Sequence, residues 1–180
     1  SRSSKRIQEE FDTLDNLFSW GKNGKPIINE CKNLNIYSDV APFKETAVVL
    51  NGGSPSKVDE TNYINACYIK SSFKEQGTPN GLIIATQGPQ PHTCESFWKM
   101  VLQNNVTKIV TLCKNIGDTY HDDACAYFPS HGSSQYQSIS VANKSKVNQM
   151  EHVDVRNLLV SDGTQSIMVQ HNHFKSWPDF

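Results

Sequence analysis

Apolar side chains recur at helical spacing near the start of the chain. Ile7, Phe11, Leu14 and Phe18 fall on one face, so residues 5–19 are predicted to form an amphipathic helix. Residues 21–26, which run from a glycine to a proline, break it. A polar, irregular stretch over 31–43 precedes a short apolar run at 47–50, and 51–60 carries Gly-Gly and a proline, the mark of a loop. Residues 63–69 and 82–86 are rich in β-branched and aromatic side chains and are predicted as strands. Pro91 precedes a helix in which Cys94, Phe97, Trp98 and Val101 share a face. Residues 106–113, apolar through their centre, are predicted as a buried strand, and 135–141, 152–160 and 166–174 as three later ones. Strands interleaved with helices, then a run of strands, predict a mixed α+β sheet.

Composition narrows this little. A chain of 180 residues with 37% hydrophobic and 19% charged side chains can bury one core and is not of disordered type. A net charge of -1 gives no general attraction to nucleic acid or to anionic membrane, and no apolar run approaches the ~20 residues of a membrane span. Residues 1–10 are charged and lack the apolar centre of a secretory signal. Five cysteines without a C-x-x-C pair argue against a disulfide framework or a zinc ribbon. A cytoplasmic protein with reduced thiols is expected, in which the sequons at Asn105 and Asn143 are chance matches. Only Arg2, Arg6 and Arg156 are arginines.

A set of short blocks carries more information. Asn35-Ile36-Tyr37-Ser38-Asp39-Val40-Ala41-Pro42 resembles the phosphotyrosine-recognition loop of classical protein-tyrosine phosphatases, usually Asn-Arg-Tyr-x-Asp-Val-x-Pro. Tyr63-Ile64-Asn65-Ala66, Thr86-Gln87-Gly88-Pro89 and the stretch from Thr93 through Phe97-Trp98-Lys99-Met100-Val101 follow in the family's order. The chain ends on His173-Phe174-Lys175-Ser176-Trp177-Pro178-Asp179-Phe180, which looks like the family's mobile Trp-Pro-Asp loop. Each block alone is weak, but five in one order are strong, and the resemblance runs from about Phe11 to Phe180. The overall texture is similar to the phosphatase copies carried by viruses of parasitoid wasps.

The resemblance implies a protein-tyrosine phosphatase-like α+β fold, a highly twisted mixed sheet flanked by helices, incomplete at the C-terminal end. The family's reaction displaces tyrosine from phosphorus with a cysteine thiolate, and water then hydrolyses the phosphocysteine. No metal or other cofactor takes part, and the partners are phosphotyrosine-containing proteins. By that resemblance Asp179 is the general acid, held protonated by a raised pKa in a closing loop, and Trp177 and Pro178 support the loop. Tyr37 stacks on the substrate's phenyl ring, and Asp39 accepts hydrogen bonds from the substrate backbone. Gln87 packs beneath the site, Phe97, Trp98 and Met100 belong to the core, and His171 and His173, two apart on one strand face, are structural.

The decisive motif is a cysteine followed six positions later by arginine, whose loop cradles the phosphate. Six positions on from Cys31, Cys67, Cys94, Cys113 and Cys125 stand Tyr37, Phe73, Met100, Thr119 and His131, so none qualifies. These 180 residues hold no nucleophile of this family, and their cysteines are expected to act as small buried hydrophobes. Leu34, Ile36 and Ala47 stand where the family often has arginine, and the segment 117–124 lacks the usual glutamate and lysine, with Asp118 or Asp122 as substitutes under a shifted alignment. Three readings follow: part of an active phosphatase, a pseudophosphatase that captures phosphotyrosine without turnover, or a relic. The missing strand and helices should leave an unpaired edge and apolar surface.

Overall fold

The computed structural model describes residues 4–17, 31–38, 40–70, 82–114, 116–117, 124–145 and 148–177. Among the described residues, two helices and nine strands follow in the order α1 (Ser4–Leu17), β1 (Ala47–Val49), β2 (Tyr63–Lys70), β3 (Leu82–Thr86), α2 (Cys94–Gln103), β4 (Lys108–Leu112), β5 (Ser133–Tyr136), β6 (Ile139–Asn143), β7 (Asn148–Gln149), β8 (Val153–Ser161) and β9 (Ser166–Phe174). A single 3-10 turn, Lys32–Leu34, precedes the loop that carries Tyr37. The α+β class expected from the sequence is what forms.

Strands β1, β2 and β3 make one antiparallel sheet. The second runs β4-β9-β8-β6-β5, with β7 paired to β8. It is mixed, because β4 lies parallel to β9 while every other pair is antiparallel. Helix α2 joins the sheets by packing on both: Phe97, Trp98, Met100 and Val101 share one buried cluster with Val48 and Ile64 from the first sheet and Val141, Leu158 and Val169 from the second. Two features set its C-terminal end. Asn105 takes a left-handed φ of 51°, and the amides of Asn105 and Val106 donate to the carbonyls of Leu102 and Val101 at 3.1 and 3.0 Å. That pattern satisfies carbonyls the helix leaves open. Trp98 is fully buried, and its indole N–H donates to the Tyr127 carbonyl at 2.8 Å.

Two strand expectations need correction. Residues 135–141 are not one strand. They turn back at Gln137, whose φ is 51°, so that Tyr136 pairs with Ile139 across a two-residue hairpin. No glycine or asparagine announces this turn. It is held from outside, by the Glu95 carboxylate of α2, which accepts from the Ser138 hydroxyl at 2.6 Å and from its amide at 3.1 Å. Burial opposes ionisation of Glu95, yet the bonds from Ser138 and Lys99 hold its carboxyl below the usual range. The stretch 106–113 forms the shorter strand β4 and is only partly buried, with Val110 60% and Leu112 48% exposed. Its physical reason lies in the sheet order: among the described residues β4 pairs with β9 alone, and β3, likewise terminal, exposes Leu82 and Ile83. Apolar sequence here marks strands with an uncovered side.

Candidate functional site

Residues 35–38 and Val40 lie outside the helices and strands, and they are held by three side chains in or next to the first sheet. Gln87, just past β3, takes the loop from both directions. Its amide nitrogen donates to the Leu34 carbonyl at 2.8 Å, and its Oε1 accepts from the Ile36 amide at 3.0 Å. Asn65 of β2 donates to the Val40 carbonyl at 2.7 Å and to Gln87 Oε1 at 3.2 Å. Tyr63, buried on the same strand, donates from its hydroxyl to Asn35 Oδ1 at 2.8 Å. Burial pushes the Tyr63 phenol up to about 12, so it remains a donor at any physiological pH. A turn bond from the Val40 amide to the Tyr37 carbonyl, 3.1 Å, closes the loop. Beneath it, among Leu34, Asn65, Gln87, Thr93 and Phe97, there is room for about one water. Clamped in this way, the loop holds Tyr37 outward with 68% of its surface exposed.

The second predicted segment is the exit from β9. Phe174 closes the ladder opposite Leu112 and Val153, the Lys175 amide donates to the His152 carbonyl at 2.8 Å, and the His152 ring meets the Ser176 hydroxyl at 2.8 Å. Trp177 lies half exposed with its ring edge-on to Phe174, centroids 6.3 Å apart. Pro178 and Asp179 lie outside the described residues, as do Asp39, Asp118 and Asp122.

Behind that exit sits a buried polar chain that sequence reading assigned only in part. Arg156 of β8 stands opposite His171 of β9, and its guanidinium donates to His171 Nδ1 at 3.0 Å. Arginine cannot accept, so Nδ1 carries the lone pair and the proton sits on Nε2. Nε2 meets the Tyr127 hydroxyl at 2.6 Å, which in turn contacts the Thr111 hydroxyl at 2.8 Å. Burial, with Arg156 and His173 as like charges, drives the His171 pKa down to about 3. Arg156 also lies 4.5 Å over the Phe128 ring and 3.6 Å from Asp154, whose other oxygen pairs with Lys175 at 2.8 Å. His173 reaches the Cys113 carbonyl at 2.8 Å, so both histidines support the layer as expected. A usable signal existed: the alternation of β8 puts Asp154 and Arg156 on the same inward face as Leu158 and Val160.

The protein-tyrosine phosphatase family model matches residues 31–180. The chain belongs to the protein-tyrosine phosphatase family. It is 35% identical over 149 residues to protein-tyrosine-phosphatase PTP1 of Arabidopsis thaliana, a match covering 81% of this chain and 42% of the plant protein. It is also 35% identical over 156 residues to receptor-type tyrosine-protein phosphatase eta of Mus musculus, covering 84% of this chain and 12% of that receptor. To the human non-receptor type 14 tyrosine-protein phosphatase it is 34% identical over 151 residues, covering 78% of the chain and 12% of the relative. The chain therefore spans less than half the length of each of these relatives. Among the described residues no helix is long and apolar enough to cross a membrane, and no group of three or more metal-ligating side chains gathers.

Proposed function

We propose that this chain is the substrate-recognition and general-acid part of a phosphatase acting on phosphotyrosine in cytoplasmic proteins. The observation that carries this reading is the clamped loop, in which Gln87, Asn65 and Tyr63 fix a backbone whose outward group is Tyr37. An aromatic ring presented at the end of a rigid loop can stack on a phenyl ring and set the depth at which a phosphate is reached. Asp39 then accepts from the substrate's backbone amides. Asp179 donates its proton to the tyrosine oxygen as the phosphorus–oxygen bond breaks, while Trp177, edge-on to Phe174, and Pro178 anchor the loop that moves it.

Turnover needs a thiolate that attacks phosphorus and an arginine that grips the phosphoryl oxygens, and no cysteine here has an arginine six positions on. On this reading the 180 residues alone release no phosphate. Among the described residues β3 and β4 are paired on one side only, with Leu82, Ile83, Val110 and Leu112 exposed, which supports a partner strand from the segment that carries the cysteine loop. The test is to sequence the transcript past Phe180 and assay both forms on a phosphotyrosyl peptide. The longer form should hydrolyse it, the 180-residue form should not, and Asp179→Ala in the longer form should lower kcat by about 10²–10⁴-fold. Hydrolysis by the 180-residue form, or full activity of the Asp179→Ala form, overturns the assignment.

A second reading draws on the arginine-poor loop. Leu34 and Ile36, standing where arginines are usual, leave Tyr37 without cationic neighbours on its own turn, which favours a pseudophosphatase that binds phosphotyrosine without cleaving it. Calorimetry decides between them. Equal affinity for a phosphorylated peptide and its unphosphorylated twin, together with no hydrolysis by the longer form, leaves only a relic.

A further inference from the structure

Two of the five cysteines meet inside the fold. Cys94 is the first residue of α2, Cys125 follows the bridge between Ile116 and Ala124, and their sulfurs lie 2.8 Å apart although 31 residues separate them in sequence. Unbonded carbon atoms settle about 3.5–4.0 Å apart, and sulfur is larger. A disulfide bond is about 2.05 Å long, so this pair lies nearer to bonding distance than to ordinary contact. The surroundings hold the sulfurs together. The Cys125 amide donates to the Pro89 carbonyl at 2.8 Å, and the Cys94 thiol donates to the Gln90 carbonyl at 3.3 Å. Trp98 and Tyr127, both fully buried and joined by the indole hydrogen bond, fix α2 against the segment carrying Cys125.

We propose that Cys94 and Cys125 are a redox modification site that forms a reversible intramolecular disulfide. The oxidant class is a hydroperoxide, small enough to reach thiols that are 4% and 7% exposed. In the order we assign, Cys94, the first residue of α2, reacts first and Cys125 resolves it. Its thiolate attacks one peroxide oxygen, the O–O bond breaks, and Cys94 becomes a sulfenic acid as water leaves. The Cys125 thiol then attacks the Cys94 sulfur, expelling a second water and forming the S–S bond. Two thiols lose two electrons and two protons, and hydrogen peroxide is reduced to two waters. A dithiol reductant reverses the change by exchange.

The bond would tie the start of α2, next to the 87–90 segment that carries Gln87, to the connection between β4 and β5 within the second sheet. This site stands apart from the phosphatase reading, since neither sulfur needs a substrate or the missing nucleophile.

The test treats the reduced 180-residue chain with hydrogen peroxide, alkylates it, and maps the digest by mass spectrometry. A peptide joining Cys94 to Cys125 is expected, with five titratable thiols falling to three and returning to five with dithiothreitol. The thermal midpoint should rise by several degrees on oxidation, as closure of a loop this long constrains the unfolded chain. In Cys125→Ser the joined peptide should vanish and Cys94 should be trapped by dimedone as the sulfenic acid. The same treatment in concentrated urea should give little of this pairing. Linkage scattered over other cysteine pairs, equal Cys94–Cys125 linkage in urea, or both residues recovered alkylated after peroxide would each overturn the proposal.

Discussion

Around Tyr37 most of the hydrogen bonds run from buried or half-buried side chains to the backbone of an exposed loop, whereas around Arg156 and His171 they run from side chain to side chain inside the core. In the first region Gln87 and Asn65 satisfy loop carbonyls and an amide that water would otherwise serve. In the second, Arg156, His171, Tyr127 and Thr111 bond to one another in a mostly buried layer, with Arg156 Nε left buried and unpaired. A lost bond in the loop is replaced by solvent, so shape changes before stability does. Loss of one member of the buried chain strands the rest, and stability changes at once. On the reading proposed above, a recognition surface can tolerate the first behaviour, while a core layer under the exit from β9 needs the second.

The largest effect should therefore come from Arg156→Ala. It removes the donor to His171, a partner of Asp154 and the cation over Phe128, and should destabilise the chain by about 3–5 kcal/mol in a urea titration. A loss below about 1 kcal/mol would break the contrast between the two regions.

Acid should act on the same layer. His171 binds a proton in the unfolded chain below its ordinary value near 6.5, but in the fold only near 3. Between those values the unfolded state holds more protons, so His171's contribution is complete above about pH 6.5 and is lost as pH falls toward 3. The slope is at most about 1.4 kcal/mol per pH unit. The His171 ring resonance should keep its neutral position down to about pH 4, and a shift centred near pH 6 would refute the buried neutral state.

Gln87→Ala tests the loop side. It should lose only about 1–2 kcal/mol in the same titration. Hydrogen exchange at the Ile36 amide, which donates to Gln87 Oε1, should speed up more than at amides inside β2. The smallest change belongs to Tyr37→Ala, which at 68% exposure should leave stability within about 0.5 kcal/mol. Phosphotyrosyl-peptide affinity of the longer form should nevertheless fall by about tenfold or more, and an unchanged affinity would remove Tyr37 from the proposed site.

Much of this molecule was legible from local pattern. The strands over 63–69, 82–86 and 166–174, the helix from Cys94, and the core roles of Phe97, Trp98 and Met100 follow from side-chain period and turn residues, which depend only on near neighbours. Gln87 was also placed beneath the site, though not as the group that shapes the loop. What local pattern missed had its cause far along the chain. The Gln137 turn depends on Glu95, which is 43 residues from Ser138, and neither Gln137 nor Ser138 is a strong hairpin residue. Strand β4 looked buried because its side chains are apolar, but burial depends on what covers a strand, and sheet order decides that. Arg156 stood in the sequence only as one of three arginines until register set it opposite His171. By itself the sequence determined the family, the elements, and the absence of a cysteine with an arginine six positions on within these residues. Only the tertiary structure decided which polar groups are shut away from water together, and which two cysteines touch. Such pairings are fixed by strand register and helix packing between residues tens of positions apart, and no local spacing encodes them.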